Sequence, residues 1–362
     1  MIKFEEIRLK SFVKRWFWVI LGVVCVLLEM LLAQTPELAE RFYSRGIFPI
    51  IRSVFDYTLA FFPFPLIYFF YATIVYFAVK LLKFVFNKNL NKRTRWLESI
   101  HSILSFFGFL LFNFFFLWGF NYARLPFSQQ LGIKIQKPDT VSIRQELEIA
   151  AQEAISARAK CTNSPLSISQ IPDDFEQKMR ENVSKMLNEK GFPANGRLRG
   201  RSLSPDGILF RFGIAGIYMP FVGESNIDNG LHDLEKPFSM AHEMAHGYGW
   251  TDEATANFVA YLSCIESENA FVQYSGYLNY YRYVAGSYKR QNPDAYKAFR
   301  DQLPVGMVAD LEAINQRLLQ YEVWFSTDWM NDIYLRSLGV KEGVVSYSRV
   351  VVLVYSWRRK TQ

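Results

Sequence analysis

The chain has 362 residues and a net charge of +7, and 17% of its residues, including 33 Phe, are aromatic. That aromatic content exceeds what a soluble core needs, and its excess lies in the first third of the chain, which therefore faces a different solvent. Much of the positive charge flanks apolar segments, where it suits anionic lipid head groups, so no nucleic-acid partner is needed to explain it. The three cysteines are too few for a disulfide scaffold.

Three apolar runs, at about residues 12–34, 57–79 and 102–123, predict transmembrane helices. About 20 apolar helical residues cross a hydrocarbon core about 30 Å thick, and each run reaches that length. The first run could also be a cleaved signal peptide, because basic residues precede it and Ala33 could precede a cut. Its length and the runs that follow favour a membrane anchor over residues 1–123.

The distribution of basic residues predicts the orientation of this anchor. Lys and Arg are abundant before the first run and after the second, whereas acidic residues balance them in the loop between. Basic loops tend to stay in the cytoplasm, so residues 124–362 are expected outside it. We therefore expect a multi-pass protein of the inner membrane, in contact with lipid, with an extracytoplasmic domain.

Within that domain the pattern is mainly helical. Apolar residues at helical spacing predict helices over residues 141–159 and 172–190. Short apolar runs broken by Gly and Pro within residues 198–222 predict a small sheet or hairpins, with a strand at 217–219. Pro237 opens another helix, and the remainder of the chain is mostly helical.

The last apolar run, Val344 to Trp357, is short for a membrane span and contains Ser and Arg. We expect this run to form a core helix of the outer domain. The alternative is a fourth span, which would return the C-terminus to the cytoplasm. Cys161 and Cys264 both fall in this domain, where a disulfide could persist, and the sequence leaves open whether they pair.

The segment with the clearest chemistry contains His242, Glu243 and His246, an HExxH motif. Two histidines four positions apart project from one face of a helix, so both imidazoles can reach one tetrahedral Zn²⁺. Glu243 would then act as general base and acid, taking a proton from zinc-activated water and giving it to the leaving amine. The alternative without a metal is a pair of helix histidines whose ring nitrogens form hydrogen bonds with neighbouring residues.

A catalytic zinc needs a third protein ligand, and Glu253, seven positions after His246 across a turn with two Gly, is the main candidate. Thr251 suits the N-cap of the helix that follows, and Asn257, one turn after Glu253, could orient a ligand through a hydrogen bond. Asp252, Glu266 and His232, a loop residue expected to be solvated, are alternative third ligands. Asp252 and Glu253 could also bind no metal and only offset the dipole of the helix that they begin.

This arrangement resembles the third-ligand helix of gluzincin metallopeptidases. The chain is also similar to a bacterial family, the domain of unknown function 3810 family, in segments that cover most of its length. These segments are Asn121–Pro126, Pro220–Glu224, the HExxH helix, Glu253–Asn257, Tyr274–Tyr277 and, near the end of the chain, Gly343–Tyr347. The spacing departs from the family pattern at Glu253–Asn257, which leaves Asp252 and Glu253 as competing ligands. The resemblance implies a zincin-like architecture in a bacterial membrane protein and supplies no substrate.

Other roles follow less directly from the sequence. A peptide substrate could add to an exposed strand at residues 217–221, and a plain core strand there is the alternative. A donor that stabilises the transition state could come from Tyr347, Arg349, Tyr248 or Tyr218.

Together these features predict three transmembrane helices followed by a mainly helical α+β zincin-like domain with a small sheet. The predicted function is that of a membrane-bound zinc metallopeptidase acting on a peptide or protein substrate. The alternative is a catalytically inactive zinc-binding sensor or scaffold, and a third reading is a membrane interaction protein without metal.

Overall fold

The computed structural model describes residues 2–86, 91–161, 166, 168–170, 174–321 and 349–361. The chain divides into two compact units. The first unit comprises Met1–Phe55, Phe61–Leu125 and Pro220–Val222, and the second comprises Asp56–Ala60, Pro126–Met219 and Gly223–Gln362.

Helices form the first unit, and three of them are long and apolar enough to cross a membrane. The helices are α1 (Ile2–Leu32), α2 (Pro36–Leu38), α3 (Phe48–Asp56), α4 (Ile67–Val85) and α5 (Lys92–Leu117), with a π-helical segment at Ala39–Ile47. The candidate spans are Phe12–Leu32, α4 and α5. Among the described residues the prediction of three apolar, potentially membrane-spanning helices is therefore confirmed.

The bounds of these helices differ from the predicted ones. The second candidate span begins at Ile67 rather than at residue 57. Pro63 and Pro65 lie just before it, and a proline lacks the backbone N–H that a helix interior requires. The third begins at Lys92 rather than at residue 102, because the side chain of Asn91 accepts a hydrogen bond from the Arg93 N–H (3.0 Å) and caps the helix.

The helices α1 and α5 run parallel to each other. Arg15, near the middle of α1, forms an ion pair with Glu98, in the second turn of α5, at 2.6 Å. Further along, a Cβ atom placed on Gly22 would lie 2.9 Å from the Gly108 Cα, so the two backbones touch there. If both helices cross a membrane, parallel directions require α4 to cross in the opposite direction between them.

The second unit is mostly helical with one small sheet. Its helices are α6 (Phe127–Gln130), α7 (Thr140–Ala159), α8 (Phe175–Glu189), α9 (Lys236–Gly247), α10 (Glu253–Ile265), α11 (Ala270–Gln291), α12 (Pro293–Arg300), α13 (Val305–Leu319) and α14 (Arg349–Thr361). Short 3-10 turns occur at Leu59–Phe61, Gly119–Ala123, Ile168–Gln170 and Phe210–Phe212 in the two units. The predicted helices over 141–159 and 172–190 correspond to α7 and α8 and are confirmed within the described residues; residues 172 and 173 lie outside them.

The sheet contains β1 (Arg199–Leu203), β2 (Gly216–Met219) and β3 (Glu224–Asp228) in the order β1-β3-β2. β1 is parallel to β3, and β2 is antiparallel to it, with Gly216 opposite Ile227. The predicted small sheet and its strand at 217–219 are therefore confirmed. The helix α9 packs on this sheet, where the Ser225 hydroxyl donates to the Glu243 carbonyl at 2.8 Å.

The helix α14 is part of the core of the second unit. Its apolar residues, including Val350 and Val354, are buried. Arg358 donates to Glu153 on α7 (2.5 Å) and to the Tyr261 hydroxyl on α10 (2.8 Å). Within the described part of the run, this matches a core helix rather than a fourth span; residues 344–348 lie outside it.

The cysteines of the second unit do not pair. Cys161 and Cys264 are both free thiols, and Cys264 is fully buried. The possible disulfide is therefore absent.

Candidate metal centre

The helix α9 places His242 and His246 on one face, one turn apart. It begins at Lys236 with Pro237 in its first turn, where a missing N–H costs nothing, and ends at Gly247. The two imidazole planes are nearly perpendicular, at 86°, and their Nε2 atoms lie 3.1 Å apart. Two ring nitrogens thus point at one small volume.

The turn after α9 fixes the orientation of His246. Gly249 has a φ of +85°, a left-handed conformation that glycine adopts without a Cβ clash. This lets the chain reverse, so that the Trp250 carbonyl accepts a hydrogen bond from His246 Nδ1 at 2.6 Å. The Trp250 ring packs against Phe127, with ring centroids 4.5 Å apart, which holds the turn in place.

The start of α10 decides which acidic residue reaches the histidines. Asp252, not Thr251 as expected, is the N-cap, because its carboxylate accepts from both the N–H (2.9 Å) and the hydroxyl (2.8 Å) of Thr255. With Asp252 engaged at the cap, the next residue turns inward. Glu253 approaches His242 Nε2 at 3.2 Å and His246 Nε2 at 3.5 Å.

Asn257 lies one helical turn after Glu253 and is almost fully buried, with 1% of its surface exposed. Its side-chain oxygen accepts a hydrogen bond from His242 Nδ1 at 2.9 Å and another from the Tyr283 hydroxyl at 3.1 Å. Asn257 therefore holds the His242 ring through a hydrogen bond, and its role beside a bound metal stays a prediction.

These hydrogen bonds fix the tautomers of both imidazoles. A carbonyl oxygen can only accept, so His246 carries a proton on Nδ1, and the amide oxygen of Asn257 requires the same of His242. Both Nε2 lone pairs then face each other and the Glu253 carboxylate. Such a convergence of electron pairs needs a cation between them.

The spacing of the three groups fits zinc. Bonds of about 2.0–2.1 Å in a tetrahedron place ligand atoms about 3.3 Å from one another. The separations here are 3.1 Å between the imidazoles and 3.2 and 3.5 Å from each imidazole to Glu253. These are the residues that could hold a metal within the described part of the chain.

The electrostatics of the metal-free cluster lead to the same conclusion. Burial alone would lower the pKa of His246, but the carboxylates of Glu253 and Glu243 outweigh it and raise this pKa to about 9. Burial would raise the pKa of Glu253, but the two imidazoles outweigh it and hold that pKa well below its usual range. In the absence of a metal, a proton thus supplies the positive charge that the cluster requires.

Glu243 lies beside this cluster, between α9 and the edge strand β2. Its carboxylate accepts a hydrogen bond from the Tyr218 N–H, and burial raises its pKa. A Cβ on Gly216 would lie 2.7 Å from both Cγ and Oε1 of Glu243, so only glycine leaves room for this side chain. The carboxylate is thus held by β2 close to the imidazoles.

The other predicted donors to the transition state are Tyr248, Arg349 and Tyr347, and the cluster found among the described residues contains none of them. Tyr248 is buried at the C-terminal end of α9. The guanidinium of Arg349, at the start of α14, pairs with Asp252 at 3.0 Å. Tyr347 lies outside the described residues.

The two remaining rival ligands are not part of the cluster. Glu266 is the C-cap of α10, and its Oε1 lies 3.6 Å from Lys190 Nζ. His232 is half-buried rather than solvated, and its Nδ1 accepts from the Leu234 N–H at 3.3 Å.

Sequence reasoning missed the contributions of Tyr283, Gly216 and the Trp250 carbonyl. Tyr283 comes from α11, and Gly216 from a strand that precedes the motif, so no local spacing connects either of them with the histidines. The paired Gly residues after the motif were the available signal for Trp250, since they indicated a reversal of the chain.

The three candidate spans indicate a membrane protein, and its second unit holds a candidate metal centre. The chain belongs to the family described as protein of unknown function (DUF3810), whose model matches residues 43–355. Neither a curated protein nor a solved structure matches it significantly.

Proposed function

We propose that this protein is a membrane-bound zinc metallopeptidase of the gluzincin type, with a zincin-like catalytic domain. The observation that carries the proposal is the convergence of two imidazole lone pairs and one carboxylate, with the Glu243 carboxylate beside them. His242, His246 and Glu253 would hold the zinc. When bound there, zinc would supply Lewis acidity, which acidifies water and polarises a peptide carbonyl.

Glu243 is suited to carry the proton of the reaction. It would accept a proton from the attacking water and deliver it to the leaving amine as the peptide bond breaks. Its burial raises its pKa, which brings the carboxyl closer to the range where it can both accept and return a proton. The Tyr218 N–H keeps the carboxylate in place during the transfer.

The edge strand β2 is suited to orient the substrate. It pairs with β3 along one side, and its residues Gly216 and Tyr218 adjoin Glu243. An extended peptide that pairs with this edge would run past the metal ligands, and main-chain hydrogen bonds would bind it with little dependence on sequence.

An open metal site favours catalysis over a structural role. Structural zinc sites are closed by four protein ligands, whereas catalytic sites keep one position open. Three ligand groups come together here within the described ranges. A zinc-binding sensor or scaffold that cleaves nothing is the competing function.

The location proposed for this activity is the outer face of the bacterial inner membrane. The excess of Lys and Arg before the first candidate span and after the second supports this orientation. Alkaline phosphatase fused after Gln362 should be active in cells if the second unit is outside, and inactive if it is cytoplasmic.

The test of the activity compares the full chain with its Glu243→Gln variant, both purified in detergent. We expect about one zinc per chain in each. A library of quenched fluorescent peptides should be cleaved by the wild type and not by the variant. Equal cleavage by both would refute the role of Glu243, and zinc without cleavage in either would favour the sensor.

A further inference from the structure

The segment from Pro36 to Phe55, between α1 and α4, buries several polar side chains and exposes a row of large apolar ones. It consists of α2, the π-helical segment and most of α3, all in the first unit. Its buried side includes Glu40 and Ser44, which are 6% and 5% exposed, beside apolar residues such as Tyr43 and Phe48. Its outward side carries large apolar residues with 46–66% of their surface exposed, namely Leu38, Phe42, Ile47, Ile50 and Val54.

These apolar residues form one continuous stripe because the helix changes its winding. A π-helix closes its hydrogen bonds over five residues, so Phe42 and Ile47, five positions apart, lie close to one line within Ala39–Ile47. The steps from Ile47 to Ile50 and from Ile50 to Val54 are three and four residues, as an α-helix requires.

The buried side of this segment is held in place by hydrogen bonds within the first unit. The Glu40 carboxylate pairs with the Arg124 guanidinium through two hydrogen bonds of 2.9 and 3.0 Å, and it also accepts from Arg45 at 2.9 Å. The Tyr43 hydroxyl donates to the Phe116 carbonyl at 2.8 Å. Rotation of the segment to hide its apolar stripe would leave these charges unpaired.

A soluble surface does not account for this pattern. Water would favour charged residues outside and large apolar residues inside, whereas this segment buries Glu40 and Arg52 and exposes five large apolar side chains. The segment has too many charged residues to cross the hydrocarbon core. These residues are Glu37, Glu40, Arg41, Arg45 and Arg52.

We propose that Pro36–Phe55 lies in the plane of the membrane, with its apolar stripe at the boundary between lipid head groups and acyl chains. The segment follows directly on a candidate span that ends at Leu32 and precedes another that begins at Ile67, so the same bilayer is within its reach. Arg41, whose guanidinium lies 5.4 Å from the Phe42 ring, is exposed and can reach lipid phosphate while Phe42 enters the apolar layer.

Photo-crosslinking of the full chain in lipid nanodiscs tests this placement. The photoreactive residue p-benzoylphenylalanine would replace Phe42 or Ile50 and react with whatever touches the stripe. Phe107, an exposed residue within the candidate span α5, serves as the membrane control. Val141, 66% exposed on α7 of the second unit, serves as the control outside the spans.

The expected result at Phe42 and Ile50 is a mass increase of one lipid molecule, as at Phe107 and unlike Val141. A covalent dimer would overturn the proposal and assign the stripe to a second copy of the chain. Lipid adducts at Phe107 alone would also overturn it, because the stripe would then face water. Absence of lipid adducts at every position would refute the membrane placement of the flanking helices and the proposal with it.

Discussion

Replacing Asn257 by Leu should weaken zinc binding. The substitution keeps the size of the side chain but removes the oxygen that accepts from His242 Nδ1 at 2.9 Å. The imidazole is then free to place its proton on Nε2, the atom that must offer its lone pair to the metal. The amide nitrogen of Asn257 is buried without a hydrogen-bond partner among the described residues, so its loss costs little stability. Loss of the oxygen also removes the acceptor of the Tyr283 hydroxyl, which costs about 1–3 kcal/mol of folding stability.

The size of the effect follows from the burial of this contact. Loss of the hydrogen-bond partner of a metal-bound histidine typically costs about 10–100-fold in affinity. Asn257 is 1% exposed, so water cannot replace the missing acceptor, and the upper part of that range is expected. A 100-fold loss corresponds to about 2.8 kcal/mol.

Competition between the metal-free protein and a fluorescent zinc chelator measures this loss in the full chain. Asn182→Leu is the matched control, because it removes a side-chain hydrogen bond to Ser267 that lies outside the cluster. Asn257→Asp keeps the acceptor and should retain tight binding. Equal affinity of Asn257→Leu and wild type would refute the reasoning, and an equal loss in Asn182→Leu would show a general effect on folding.

Three further predictions concern the surroundings of the metal. Tyr283→Phe should weaken zinc binding about fivefold, the value of one neutral hydrogen bond, and should add nothing to Asn257→Leu in the double variant if it acts through Asn257. Gly216→Ala should displace Glu243, so peptide cleavage should fall while the zinc content measured by elemental analysis stays the same. Folding raises the pKa of His246 from 6.5 to about 9 in the metal-free chain, so its stabilising contribution is complete below pH 6.5 and is lost as the pH rises through 9. Zinc must displace that proton, so its apparent affinity should rise about tenfold per pH unit from 7 to 9, and a flat titration would contradict this.

The parts of the molecule that the sequence predicts are those that depend on local periodicity. Two histidines four positions apart share a helix face whatever surrounds the helix, so His242 and His246 follow from spacing alone. The length of an apolar run likewise predicts a candidate span. The start of the second span was misplaced because Tyr57 to Leu66 is as apolar as a span, although Pro63 and Pro65 keep it from continuing the helix.

The choice between Asp252 and Glu253 shows where local reasoning ends. Both are acidic and adjacent, and either could face the histidines according to where α10 begins. Asp252 caps the helix through Thr255 and so directs Glu253 inward. Tyr283 could not be predicted at all, because its contact depends on how α11 packs against α10 and not on any pattern near the motif.

The hydrogen bonds of the ring nitrogens favour the proposed metal site over two histidines that only fill a core. Core histidines would use both nitrogens of each ring to donate to or accept from neighbouring protein groups. Here each Nδ1 is held by an oxygen, from Asn257 for His242 and from Trp250 for His246, while the two Nε2 atoms point at each other across 3.1 Å. Glu253 adds a negative charge to the same volume instead of a donor. A proton can bridge only two of these three groups at a time, the two Nε2 lone pairs and the Glu253 carboxylate. A divalent cation can bind all three at once. We therefore interpret the cluster as a zinc site.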